Sequence, residues 1–426
     1  MNSFIESFSQ CREYWLKSSP SHRRNLWLLG LVFFLTLFSY PLIRSTTTSI
    51  FLQTFGAKNS PLVWLYSILG LTLAVTFFNR FQERLRIQNL FLITSLVTVS
   101  LFMGAYYWRL YETGIFPYIL YIWKEIYIVL LIHMTFGYVN AILAYREAKL
   151  FFGPLGAIGS LGGVLGGVLT TALTFTLDTS IILFFGSVAV LISSILFYFT
   201  DSEGNLENHK NTKEELQEKQ TPLSSIKGVE RYVLFMILAV TLSQFVINLA
   251  NFKFNMLFET IVTDKNDKTR YLGILYGSVN AVSLLVQIFF ITPALNAFHL
   301  RSLHYFVPLF YTILALLCFY AGAGLLLPVS IAFVIYKGFD YSLFSSIKEL
   351  LYFPLNRFQK YGAKYLNDMI AYRASKGLIS ILLLYWQTNL FVDSALIISL
   401  ILWIYIVKKL FIEREKLLSE EHHATI

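Results

Sequence analysis

The sequence predicts an all-α membrane protein of twelve transmembrane helices in two six-helix halves. Three observations predict it. Hydrophobic residues make up 56% of the 426 and charged residues only 14%, more apolar side-chain surface than a water-soluble core absorbs. The apolar residues gather in runs of about 20, the length at which a helix crosses the hydrocarbon core. These runs are rich in Leu, Ile and Phe and show none of the repeated polar alternation of a barrel strand.

Residues 1–24 form a cytoplasmic N-terminal segment, in which Phe4, Phe8, Cys11 and Trp15 recur at helical spacing, a pattern open to two readings: a short helix on the inner leaflet or a disordered start. The first half, 25–200, holds runs at 25–43, 61–79, 87–107, 115–142, 153–176 and 180–199. Gly159, Gly163 and Gly167 repeat every four residues in its fifth run, a bare backbone face against which another helix packs closely. A polar cytoplasmic loop follows at 201–230. The second half, 231–411, holds runs at 232–252, 271–293, 305–321, 323–351, 367–388 and 390–410, and a cytoplasmic tail occupies 412–426. The runs at 115–142 and 323–351 exceed one bilayer thickness, so each is tilted, broken or extended beyond the lipid.

Lys and Arg in the short loops set the orientation. Arg12, Arg23 and Arg24, Arg80, Arg84 and Arg86, Arg146 and Lys149, Lys360 and Lys364, and Lys408 and Lys409 all fall on one face, which is therefore cytoplasmic and carries both termini. The expected location is a bacterial inner membrane. The net charge of +9 reflects this basic rim beside anionic lipid and not a nucleic-acid partner. Cys11 and Cys318 are too few and too far apart in sequence for a disulfide framework. No Walker-type glycine loop, His-Glu-x-x-His pair or Cys-x-x-Cys motif occurs, which disfavours an ATP-driven pump or a metalloenzyme; no cofactor or metal is expected.

Six cations, Arg44, Lys124, Lys253, Lys348, Arg373 and Lys376, lie within or at the rim of the apolar runs. A charge at the bilayer centre costs roughly 2.5–3.5 kcal/mol on insertion scales, so such residues face a protein interior or a wet cavity. A cavity lined mainly by cations selects for anions. Arg373 and Lys376 share a helix face and could hold a phosphate or carboxylate. Lys124 and Glu125 are adjacent and diverge by about 100° on a helix, so one is free to bind solute while the other pairs across the bundle. Asn248, Asn251 and Asn255 recur at helical spacing and could line the same cavity. Glu349 and Asp368, with Arg373 and Lys376, could instead form a salt-bridge network that locks an inward gate.

Three stretches resemble the plastid and bacterial nucleotide transporters called ATP/ADP translocases. The segment from Lys337-Gly-Phe-Asp340 through Lys348-Glu349 to Pro354-Leu355, followed by Lys360-Tyr-Gly362-Ala-Lys364, Asp368 and Arg373-Ala-Ser-Lys376, looks like that family's C-terminal signature. Arg146-Glu147-Ala148-Lys149 before the glycines is similar to its Glu-Ala-Lys-Arg stretch, and Leu42-Ile43-Arg44 with Gly56-Ala57 to its Leu-Arg and Gly-Ala frame. The resemblance implies a major-facilitator-like fold and nucleotide exchange. Taken with the charges in the apolar runs, it leaves Arg44, Lys124, Glu125, Asn251, Lys348, Arg373 and Lys376 as candidate substrate-binding residues and Glu349 and Asp368 as candidate gating residues.

Departures narrow that expectation. Thr47 and Thr48 stand where the family has a Lys-Asp pair, Asn251 where it has a glutamate, and Phe254 and Asn255 where it has Trp-Lys, whereas Glu125 and Lys376 match. Losing charged residues of both signs changes the charge pattern of the site, so the expected cargo broadens to a nucleotide or other small anionic solute moved by alternating access. A proton-coupled carrier of a different small solute, or a non-transporting membrane scaffold, would suit the same architecture.

Overall fold

The structure is a computed structural model that describes residues 19–82, 84–142, 145–200 and 222–424; the expected surface helix at 4–15 and most of the central loop lie outside the described residues. Every regular element among the described residues is helical. The long helices are α1 Pro20–Phe55, α2 Ser60–Gln82, α3 Ile87–Tyr107, α4 Phe116–Ile142, α5 Tyr145–Leu173 and α6 Thr179–Tyr198. They continue as α7 Glu230–Ile261, α8 Lys265–Ala297, α9 Leu300–Ala321, α10 Leu326–Leu350, α11 over 357–385 and α12 Asn389–Ala424. Eleven of these are long and apolar enough to span a bilayer. The twelfth, α11, carries Lys360, Lys364, Asp368, Arg373 and Lys376, and this charge keeps it off a count made by composition. The chain is a multi-pass membrane protein.

Helix ends depart from the hydropathy runs because caps, not lipid, set them. Helix α1 begins at Ser19, whose hydroxyl accepts from the His22 N–H, and ends at Gly56, whose φ of 78° is open to glycine. The helix is therefore 36 residues long where hydropathy marks 25–43. Asp264 caps α8 by accepting from the Asn266 and Asp267 N–H groups, which starts that helix six residues before its apolar run. The run at 323–351 forms one continuous helix that starts at Leu326, ends at Leu350 and contains a widened, π-helical turn at Asp340–Phe344. Similar turns interrupt α8 at Val286–Phe290 and α11 at Tyr365–Ala371, and one forms the end of α9 at Ala315–Ala321.

Asp178 caps α6 through the Ser180 N–H at 2.9 Å and also lies 3.7 Å from the Lys265 ammonium. Burial raises its pKa, but the hydrogen bonds from Ser180 and the charge of Lys265 together outweigh that and hold the carboxyl below the usual range. Its contribution to stability is therefore complete above the ordinary carboxylate pKa and is lost as pH falls through the depressed value. Asp178→Ala is expected to cost about 0.5–2 kcal/mol near neutral pH, with the difference from wild type shrinking in acid. Thermal unfolding at a series of pH values checks both.

Packing divides the chain into two units. One holds α1, α2 from Leu69, α3 to α6, and α8 as far as Ile288. Helix α1 is central to it, packing on α4, α5, α6 and α8, around a core that includes Leu29, Phe33, Phe91, Tyr127 and Phe197. The glycines of α5 face in two directions. A methyl at Gly162 or Gly166 would lie 2.2 Å from the carbonyl oxygen of Phe34 or Phe38 on α1. At Gly167 it would lie 2.5 Å from Gly277 Cα on α8, and at Gly163 it would meet the Asn280 side chain; Gly153 and Gly156 face open space. The expected bare face is present at Gly163 and Gly167, whereas Gly159 turns to Leu37 of α1, and the tighter stripe on α1 adds a second close contact.

The other unit holds Ala57–Ile68, α7, the end of α8 and α9 to α12. Helix α7 packs on α10, α11 and α12. Tyr311 of α9 and Tyr336 of α10 are stacked with centroids 4.2 Å apart, and each hydroxyl donates to the other's backbone carbonyl. Burying two phenols this way leaves neither hydroxyl unsatisfied.

Candidate functional site

In the first unit Lys124 is 1% exposed. Its ammonium donates to the Thr48 hydroxyl at 3.1 Å, lies 3.3 Å from a Glu125 carboxylate oxygen, and stands 3.3 Å from the centre of the Tyr121 ring. The sequence geometry predicts that the neighbouring side chains of Lys124 and Glu125 diverge; instead the long lysine stem bends back and the two pair with each other. Thr48, which stands where the resembling family has a charged residue, supplies a neutral acceptor to the same lysine. Arg44 lies over Tyr276 at 3.9 Å and over Tyr40 at 5.3 Å, a guanidinium held between two aromatic faces.

The second unit holds the remaining expected residues. Lys348 of α10 bonds Asp368 of α11 at 2.6 Å, and Glu349 bonds Lys364 at 2.6 Å. The two adjacent residues of α10 thus reach two different partners on α11. Lys253 of α7 pairs with Asp393 of α12 and also donates to the Phe319 carbonyl, in the widened turn of α9. Asn251 is half-buried on α7, between the buried Asn248 and Asn255. Lys376 stands 5.8 Å from the ring of Trp64, which is fully buried. Arg373, half-buried on the same helix, has no acid within ion-pair distance among the described residues. The four-member network of Glu349, Asp368, Arg373 and Lys376 is therefore resolved differently: both acids are taken by Lys348 and Lys364, and Arg373 stands outside.

Sequence reasoning passed over Asp340, Gln244 and Tyr372. Asp340 is buried in α10, where the Gln244 amide donates to one oxygen at 3.1 Å and the Tyr372 hydroxyl lies 3.4 Å from the other. Gln244, Asn248, Asn251 and Asn255 continue one spacing of four, three and four residues, a signal present in the sequence. Asp393 was also missed, because nothing in the chain links it to Lys253 before folding. A cavity of about 390 Å³ lies in the first unit between Gln53, Tyr111, Glu112, Asp264 and Lys265, and it contains none of the expected site residues.

No family model matches the sequence. No curated protein matches it. Solved structures do share its fold. The nucleoside transporter NupG is 14% identical with a TM-score of 0.62, over 92% of this chain and 98% of that one. The xylose transporter XylE from E. coli, partially occluded and inward open, is 14% identical with a TM-score of 0.63, over 92% and 98%. A bacterial homologue of the iron transporter ferroportin, in its inward-facing state, is 13% identical with a TM-score of 0.63, over 92% and 99%. The chain has the twelve-helix major-facilitator fold of these proteins.

Proposed function

We propose that this chain is a secondary carrier, not an enzyme, that moves a nucleotide or another small anionic solute by alternating access. The observation that carries the reading is Arg373. Lys124, Lys253, Lys348 and Lys364 each have a carboxylate partner. Arg373 has none among the described residues, and a half-buried guanidinium in an apolar helix is costly unless an anion visits it. Lys376, one turn later, adds a second cation on the same face. A guanidinium fork with an ammonium beside it matches the oxygens of a phosphate or carboxylate. Asn251 and Lys348 of the same unit, and separately Arg44, Lys124 and Glu125 of the first unit, are further proposed solute-binding residues.

The resemblance to ATP/ADP translocases supports a phosphorylated solute, and a nucleoside transporter among the proteins of this fold is consistent with a base and sugar as cargo. The pairs Lys348–Asp368 and Lys364–Glu349 join α10 to α11. They act as gates that break and reform as those helices shift during the cycle.

Purified protein in liposomes is to be tested for uptake of nucleosides, nucleotides, sugar phosphates, carboxylates and amino acids, with and without a pH gradient. Saturable uptake of an anionic solute is expected; inserted protein that takes up no anion overturns the reading. The carrier is placed in a bacterial inner membrane with both termini and the 201–230 loop cytoplasmic. A cysteine near Lys265 should react with an impermeant label from outside intact cells, and one near Asn211 should not; the reverse pattern would overturn this topology.

A further inference from the structure

We infer that Asp340 is a proton-binding site through which transport is coupled to protons. The inference deepens the carrier reading and names its coupling ion. It starts from the surroundings of the carboxylate. Asp340 opens the widened turn of α10, within an apolar span, and is 6% exposed. Such turns recur at functional sites because they break the regular helix and re-aim a side chain.

The groups around Asp340 come from four helices. Gln244 of α7 donates to Oδ1 at 3.1 Å, and the Tyr372 hydroxyl of α11 faces Oδ2 at 3.4 Å. Tyr311 of α9 acts on it electrostatically but gives its hydroxyl proton to the Tyr336 carbonyl. On α10 itself Lys337 and Lys348 also act electrostatically. Neither is within ion-pair distance: the Lys337 ammonium lies 5.3 Å from the Tyr341 ring, and Lys348 is bonded to Asp368. Both direct partners of the carboxylate are thus neutral.

A buried carboxylate with two neutral partners lacks a compensating positive charge, and in an apolar span that is costly. A proton on Oδ2 supplies the charge. The long contact to Tyr372 leaves room for it, since a hydroxyl can turn from donating to accepting. After release, Lys337 is the nearest cation along the helix, three residues earlier and on the same face, so it can leave the Tyr341 ring and balance the carboxylate. A metal ion fits this place poorly. Metal cations require several oxygen ligands, whereas an amide N–H points at Oδ1, and no group of three His, Cys, Asp or Glu side chains converges among the described residues.

The test uses the full chain in liposomes and infrared difference spectroscopy across pH, which needs no solute. Wild type should show a carboxylic-acid C=O band that disappears as pH rises. Asp340→Asn should lack it, and Asp340→Glu should keep it at a shifted frequency. The inference is overturned if wild type and Asp340→Asn share the same band, if Asp340→Glu leaves its frequency unmoved, or if the band responds to sodium and not to pH. With any solute accepted in the uptake panel, a proton gradient should accelerate wild-type uptake several-fold and leave Asp340→Asn unaffected. A panel without a transported anion overturns the cargo reading alone, because the spectroscopic result stands without it.

Discussion

Replacing Gly162 or Gly166 by alanine lowers the stability of the first unit by about 1–3 kcal/mol or more, the cost of overpacking. The added methyl meets a backbone carbonyl oxygen of α1 at 2.2 Å, and backbone cannot swing aside as a side chain can. Gly167→Ala belongs with them, because its neighbours are the backbone of Gly273 and Gly277. Gly163→Ala costs less, since the Asn280 side chain in its path can turn after giving up its bond to the Tyr276 carbonyl. Gly156→Ala is neutral or stabilising, with open space around the new methyl and better helix propensity. Thermal unfolding of the series in detergent reads this order. Equal effects at Gly156 and Gly162 would show that helix propensity, not close packing, governs α5.

Arg373→Gln weakens anion binding roughly ten- to hundredfold, as expected for the loss of one charge-assisted hydrogen-bonding group worth about 1.5–3 kcal/mol. Stability should change little or rise, because no acid within ion-pair distance among the described residues is left behind. Lys376→Gln keeps length and polarity while removing charge, and a binding role predicts the same pattern. A structural role predicts lost stability instead, with partial rescue when an acidic partner is neutralised too. Solute-dependent thermal shifts, measured beside uptake, separate the two. Unchanged anion selectivity in a stable Lys376→Gln or Arg373→Gln carrier would refute the binding assignment.

Much of the architecture was legible because lipid imposes a simple rule: a span must be apolar, about 20 residues long and helical. Helix ends were less legible, since Ser19, Gly56 and Asp264 set them by local hydrogen bonding that hydropathy does not register. Helix α11 was identified as a span despite its charges through its apolar second half, Leu378–Tyr385. For the candidate site, the residue types and their helices were readable, but the pairings were not. Lys253 finds Asp393 at a separation of 140 residues, and Lys124 bends to Glu125 against the ideal helical angle. Asp340 lay inside the recognised C-terminal signature, yet its environment depends on Gln244 and Tyr372, which only folding brings to it.

The widened turns set which way the charged residues after them point. Each lets one turn hold an extra residue, so everything after it lags by about 100° its position in an uninterrupted α-helix of the same sequence. Lys348 and Glu349 lie downstream of the turn at Asp340–Phe344, and Arg373 and Lys376 downstream of the one at Tyr365–Ala371. A chain one residue shorter within 340–344 and regular there would point its Lys-Glu pair in the same direction, whereas a chain of equal length without the widened turn would point it about a quarter-turn away. Two chains can therefore carry the same signature letter for letter and present it in different directions, while a deletion that closes the widened turn leaves the direction of the charges unchanged.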